Sequence, residues 1–349
     1  MKFSNLIIFI LIIFNKTGNV LSNESIFHVN NIELIRKTNV SNDELASKAI
    51  EEGFLALINK ILLKEDVEKL SKLNSSQIKE LVSYYQITNQ DTTKTEDEKT
   101  SFNIFFDKEK FHKLFYLKSI SYSEINDKEI YFLPILKKGN QIYIYNNNFY
   151  YENWVKLNKE SLIEFILPLE NIEIFQMINI KKNNLLSLDL QDLFQEYSRK
   201  NLAIVLIDET NKKTKKIYLK IRILNKNLSK NLKIDFNSKE NNNYNQYLIS
   251  KISNVITDMV KSQNLIDVRT PSFLNTKTKN TKINNLVELN DRFKKIDLVD
   301  SLYIQELSKD YIRIKIKYFG KLNKIINKLN DQNISLKLIN EEWRLEINK

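Results

Sequence analysis

The residues with the greatest chemical reach in this chain are few and scattered. Its 349 residues include two histidines, His28 and His112, and no cysteine. The missing thiols exclude disulfides, thiolate nucleophiles and Cys-ligated metal or iron–sulfur sites, and two separated histidines leave little for zinc or haem. No HExxH or GxSxG sequence occurs, and isolated glycines at 18, 53, 139 and 320 cannot build a dinucleotide or P-loop cradle. No metal and no cofactor is expected. Adjacent carboxylates recur at Glu51-Glu52, Asp208-Glu209 and Glu341-Glu342, on a helix face or at strand ends and turns. Neighbours on a strand face opposite ways, which prevents paired acid–base work. Asp189 and Asp192 share a helix face near its first turn, where capping is the simpler role. His28, between Phe27 and Val29, reads as a strand residue.

The amino terminus addresses compartment. Met1-Lys2 is followed by the apolar run Leu6 to Phe14 and a short polar stretch, Asn15 to Ser22. That order predicts a secretory signal peptide over residues 1–22, with Val20 and Ser22 as the small residues before the cut. The apolar run is too short to cross a hydrocarbon core of about 30 Å. Removing it takes away Lys2 and Lys16 and no acid, so the mature chain stays basic and is expected to lack a transmembrane segment.

The chain carries 54 Lys and Arg against 43 Asp and Glu, a net charge of +11. Two segments concentrate this excess on one side of a strand. Ile217, Leu219, Ile221 and Ile223 alternate with Lys220 and Arg222, and Ile312, Ile314 and Ile316 alternate with Arg313, Lys315 and Lys317. Each predicts a sheet with one apolar and one cationic face. A solvated sheet face of this kind is ordinary for an antiparallel sheet and is the simpler reading; the alternative is that the exposed cations attract anionic envelope components. Nucleic acid is not expected as a partner of an exported chain.

The elements that would position these residues follow from periodicity. A strand over Ile26–Lys37 precedes a helix opened by Ser41-Asn42-Asp43-Glu44, a capping box, with Ala46, Ile50, Phe54, Leu57, Ile58 and Ile61 on one face. Strands follow at Ser83–Thr88 and Ser101–Asp107, then a helix over Lys108–Leu117 carrying His112. Tyr131–Ile135 and Gln141–Tyr145 read as strands joined at Gly139. The aromatic cluster Phe149, Tyr150, Tyr151 and Trp154 reads as core closing over this hairpin.

The succession Phe132-Leu133-Pro134-Ile135, Ile142-Tyr143-Ile144-Tyr145, Asn148-Phe149-Tyr150 and Trp154, with Tyr318-Phe319-Gly320 and Trp343-Arg344-Leu345 at the far end, resembles a bacterial family, domain of unknown function number 2066. Ile144-Tyr145 stands where that family has Leu-Trp, and Phe149-Tyr150 where it has Pro-Trp. The resemblance implies export in a Gram-negative bacterium and no established activity. Its signature residues here are Leu133, Pro134, Asn148, Trp154, Gly320 and Trp343.

Three α+β modules are expected after the leader, with mainly antiparallel sheets: residues 23–160, 161–268 and 269–349. The middle module reads as strands at Ile163–Leu167, Leu202–Ile207, Ile217–Leu224 and Leu232–Phe236 and helices at Leu188–Lys200 and Tyr247–Val260, helices covering one sheet face. Asn225–Asn231 is expected as a loop. In element order the module is similar to small interaction domains such as the amino-terminal domain of the Tol translocation protein. Past a loop at Val268–Asn280, the tail reads as a ferredoxin-like β-α-β-β-α-β with one further strand, starting with a strand at Lys282–Val287. Together these readings predict a periplasmic, non-enzymatic interaction or scaffold protein of the Gram-negative envelope, docking envelope proteins or an anionic envelope surface. A carboxylate-dependent envelope hydrolase is the alternative.

Overall fold

The computed structural model describes residues 25–36, 41–90, 98–125, 127–158, 161–182, 184–211, 214–235, 244–279 and 283–348. The expected leader lies outside them. The amino-terminal part holds β1 (His28–Arg36), α1 (Asn42–Ile61), α2 (Lys64–Leu70), α3 (Ser75–Glu80), β2 (Val82–Gln90), β3 (Glu98–Phe106), α4 (Lys108–Lys118) and β4 (Tyr122–Ser123). The middle holds β5 (Glu129–Lys138), β6 (Gln141–Tyr143), α5 (Phe149–Leu157), β7 (Glu164–Ile166), α6 (Ile172–Ile180), α7 (Leu190–Leu193), β8 (Asn201–Asp208), β9 (Thr214–Ile223), β10 (Lys226–Asp235) and α8 (Tyr244–Gln263). The remainder is β11 (Leu265–Ile266), β12 (Ser272–Lys279), α9 (Ile283–Lys294), β13 (Val299–Leu307), β14 (Tyr311–Tyr318), α10 (Leu322–Asp331), β15 (Ile334–Ile339) and β16 (Glu342–Ile347). The fold is α+β with mostly antiparallel sheets, as the sequence predicts.

Two compact units share these elements, one formed by the described residues of Met1–Asn59, Glu65–Tyr122 and Ile266–Lys349, the other by Lys60–Lys64 and Ser123–Leu265. The two ends of the chain, expected as separate modules, thus belong to one unit. Within it Ser25 Oγ and the Ile26 amide donate to the Asp297 carboxylate, both at 2.9 Å, and Lys108 Nζ donates to Val299 O at 3.0 Å.

In the first unit β3 is central to an antiparallel sheet ordered β1-β3-β2. Helix α1 starts where Ser41 Oγ accepts from the Glu44 amide at 3.2 Å, and its expected apolar face is buried. Gly53 has a packing reason, because a Cβ there would collide with the Ile104 side chain of β3. The carboxyl-terminal sheet runs β13-β14-β12-β16-β15, antiparallel except for β12 beside β16. Its first strand is Ser272–Lys279, where a loop was expected; of the strand expected at Lys282–Val287, Lys282 lies outside the described residues and the rest falls at the start of α9. Thr276 disguised the alternation of β12. It faces inward, and its hydroxyl donates to Ile314 O at 3.0 Å. Leu286, Leu289, Phe293 and Ile296 recur at helical spacing, which decides α9.

In the second unit the sheet order is β10-β9-β8-β5-β6, with β7 also pairing with β5. β5 is parallel to both β7 and β8, so the boundary expected at residue 160 falls inside one sheet. Helices cover both faces, where one was expected. One core joins Phe132, Val205 and Leu219 to Trp154 of α5 and Ile252 of α8; the other joins Leu133, Ile135 and Ile204 to Ile178 of α6 and Leu193 of α7. The near-continuous burial of β8 is the mark of such a doubly covered strand. Of the loop expected at Asn225–Asn231, all but Asn225 belongs to β10, turned from β9 by Leu224 and Asn225 at φ 49° and 63°. The helix expected over Leu188–Lys200 is reduced to α7 and short 3₁₀ turns.

His112 lies in the first unit, buried against Phe27, Tyr122 and Phe319 at ring separations of 5.7, 5.6 and 5.1 Å. Among the described residues its Nε2 has no hydrogen-bond partner. Burial, and next the Lys108 cation, push its pKa from 6.5 down to about 4, against an upward pull from Asp300. Between these values the unfolded chain binds more protons, so stability is complete above pH 6.5 and is lost as pH falls toward 4. The loss is roughly 3 kcal/mol. Urea unfolding at stepped pH should show it, and His112→Phe, which keeps a ring but does not titrate, should flatten it. An unchanged pH profile in that variant would contradict the assignment.

Candidate docking face on the carboxyl-terminal sheet

Alternation along β14 buries Ile312, Ile314 and Ile316 and turns Arg313, Lys315 and Lys317 outward. Register then brings in cations from distant parts of the chain. Lys337 of β15 pairs with Arg344 of β16, Arg344 with Lys277 of β12, and Lys277 with Arg313 of β14. Four cations stand side by side across four strands, and Glu306 of β13 ends the row opposite Arg313. Like charges directly opposed across strands are destabilising, so this row works against the fold. Acids relieve part of it: Glu306 lies 3.2 Å from Arg313, Glu342 3.5 Å from Lys277 and 3.9 Å from Arg313, and Asp300 2.9 Å from Lys317. Lys315 Nζ sits 4.5 Å above the Phe273 ring, a cation–π contact. Among the described residues no carboxylate forms an ion pair with Lys279, Lys315, Lys337 or Arg344. Phe273 and Tyr303 are about half exposed on the same side, 52% and 48%.

The parallel contact of β12 with β16 lasts only two residue pairs, Thr276 with Trp343 and Lys277 with Arg344. Past it lies a cleft of about 510 Å³. Lys277, Lys279 and Arg344 line it together with Leu289, Ile312 and Leu345. Among the described residues the buried Nε of Arg344 has no hydrogen-bond partner.

The other expected cationic face is a correction. Lys220 and Arg222 are half-buried, because the second unit has helices on both sides of its sheet. Lys220 Nζ donates to Leu186 O at 3.0 Å and Leu188 O at 2.5 Å, and Arg222 donates to Ser198 O at 2.9 Å. These cations are tied to main-chain carbonyls. The carboxylates also have local partners. Asp189 caps α7 by accepting from the Gln191 amide at 2.7 Å, and Glu209 accepts from the Tyr150 hydroxyl at 2.8 Å and lies 3.3 Å from Lys215. Burial, and then the Glu209 charge, hold the Tyr150 phenol above its ordinary range. Among the described residues no group of His, Asp and Glu is placed to hold a metal ion.

The signature residues brace cores. Asn148 is fully buried at the N-cap of α5. Its Nδ2 donates to Pro134 O at 2.8 Å, Ile144 O at 2.9 Å and Tyr143 O at 3.2 Å, while Oδ1 accepts from the Tyr150 and Tyr151 amides. Pro134 sits where β5 has no strand partner on that side, between its pairings with β7 and β6, so its missing N–H costs no ladder bond. Leu133 is buried in one core, and in the other Trp154 lies 4.3 Å from Phe132. Gly320, at φ +83°, turns the chain from β14 toward α10, and Trp343 is partly buried beside Leu338. Lys277, Lys279, Lys337 and Arg344 escaped sequence reasoning, since nothing local announces which strands will neighbour one another.

Compared with protein-family models, curated proteins and solved structures, the chain matches none. Replacing Asn148 strands up to five main-chain partners, so Asn148→Ala should cost about 2–4 kcal/mol in urea unfolding. Asn148→Asp keeps the cap acceptor and loses the three donated bonds, and should also be destabilised. Wild-type stability in both variants would show that the clamp is not structural.

Proposed function

We propose that the chain is an exported, non-enzymatic interaction protein of the Gram-negative envelope, which docks an acidic protein surface on the outer face of its carboxyl-terminal sheet. One observation carries this reading: the row Lys337–Arg344–Lys277–Arg313, only partly neutralised from within. An anionic partner would relieve the repulsion that the fold tolerates, and electrostatic complementarity of this kind steers association. A protein suits the face better than a lipid bilayer, because Glu306, Glu342 and Asp300 interrupt the cations and would be repelled by a uniformly anionic surface. Phe273 and Tyr303 offer the aromatic area that protein interfaces favour. The leader-like amino terminus supports the compartment. No helix among the described residues is long and apolar enough to cross a membrane.

Two measurements test the proposal. Protein recovered from its own cells should begin at Asn23 by mass spectrometry, and an intact Met1 on the whole pool would contradict export. Binding of residues 23–349 to isolated envelopes should weaken steeply as salt is raised from roughly 0.05 to 0.3 M. Lys279→Gln, Lys315→Gln and Lys337→Gln together should weaken it by about tenfold. Binding that ignores both salt and the triple change would overturn the docking face.

A further inference from the structure

The divergence of β12 from β16 has the geometry of an open V. Its closed end is the Lys277–Arg344 pair, and beyond it β12 continues to Lys279 and β16 to Ile347 without pairing to each other. β12 pairs on its other side with β14, and β16 with β15, so among the described residues the edges that face the cleft carry no strand partner. Such edges are templates for an added strand. The cleft is also two-sided. Lys277, Lys279, Arg344 and Glu346 belong to the outer face, while Leu286, Leu289, Ile312, Leu345 and Ile347 supply an aliphatic floor from within. Its volume, about 510 Å³, lies in the usual range of ligand sites.

We propose that this cleft captures the free carboxyl end of an extended partner peptide whose inward-facing terminal side chain is aliphatic. The proposal rests on the docking function above and names the part of the partner that is recognised. Charge sets the direction. A strand antiparallel to both β12 and β16 brings its carboxylate to the closed end of the V, where Arg344 Nε is buried without an acceptor and the Lys277 ammonium stands opposite. The reverse direction would place a peptide ammonium against the same cations. Main-chain bonds to two edges would hold the peptide, the carboxylate would satisfy Arg344 by a charge-assisted hydrogen bond, and the floor would select the side chain. An anionic acyl chain fits less well, since it offers no main-chain partners to the two edges.

The test uses the mature chain and three probes: a fluorescein-labelled hexapeptide ending in Val-Leu-Val with a free carboxylate, the same peptide as its carboxyl-terminal amide, and oleate. The free-acid peptide should bind in anisotropy titrations at least about tenfold more tightly than the amide. Arg344→Gln, checked for an unchanged thermal midpoint, should remove that preference while leaving amide binding nearly unaltered. Should Arg344→Gln fail to fold, the acid-to-amide ratio on the native chain decides. Equal binding of acid and amide, or oleate displacing the peptide and binding more tightly than it, would overturn the proposal. Salt-sensitive envelope binding that survives such a result would confine the failure to carboxylate capture; loss of both would remove the docking face.

Discussion

Side-chain alternation on a pleated strand is the constraint from which the working face follows. In β14 it commits Ile312, Ile314 and Ile316 to the interior and leaves Arg313, Lys315 and Lys317 no place but the outside. Antiparallel pairing with β12 and the short parallel contact of β12 with β16 then fix which outward residues become neighbours. The consequence is electrostatic. Cations as far apart in sequence as Lys277 and Arg344 share one row, and Glu306 and Glu342 answer only some of them. A face built in this way is held together by its buried isoleucines while its surface charge favours company.

The second unit treats charge in the opposite manner. Its strand β9 has the same alternation, with Ile217, Leu219 and Ile221 inward, yet Lys220 and Arg222 are consumed by carbonyls of the segment that covers them. The difference is the number of covered faces. Under the segment that covers β9 these two cations become internal fasteners, while the edge strand β10 keeps most of its residues exposed. Asn148 serves the same economy of polar groups, meeting Pro134, Tyr143 and Ile144 carbonyls in a place that water does not reach.

Local patterns were legible in the sequence, and long-range assembly was not. The capping signal at Ser41, the alternation in β9 and β14, the turn at Gly139 and the burial of Tyr150 and Trp154 all follow from residues within a few positions of one another. β12 escaped because Thr276 occupies a core position and breaks the apolar rhythm. The strand reading of Lys282–Val287 erred because its apolar residues, Ile283, Leu286 and Val287, fall at i, i+3 and i+4, the spacing of a helix. The parallel pairing of β5 with β7 and β8 joins segments on both sides of residue 160, and no composition shift marks it. Of the docking face, Arg313, Lys315 and Lys317 were readable from one strand. Lys277, Lys337 and Arg344 required the register of three others.

The central claim is that the outer face of the carboxyl-terminal sheet is where this protein meets its partner. Covalent lysine footprinting of the mature chain, free and bound to isolated envelopes, examines it residue by residue. Lys279, Lys315 and Lys337 should lose reactivity on binding while exposed lysines of the second unit, such as Lys181 and Lys182, keep theirs. Protection confined to the second unit, with those three lysines as reactive as in the free protein, would contradict it.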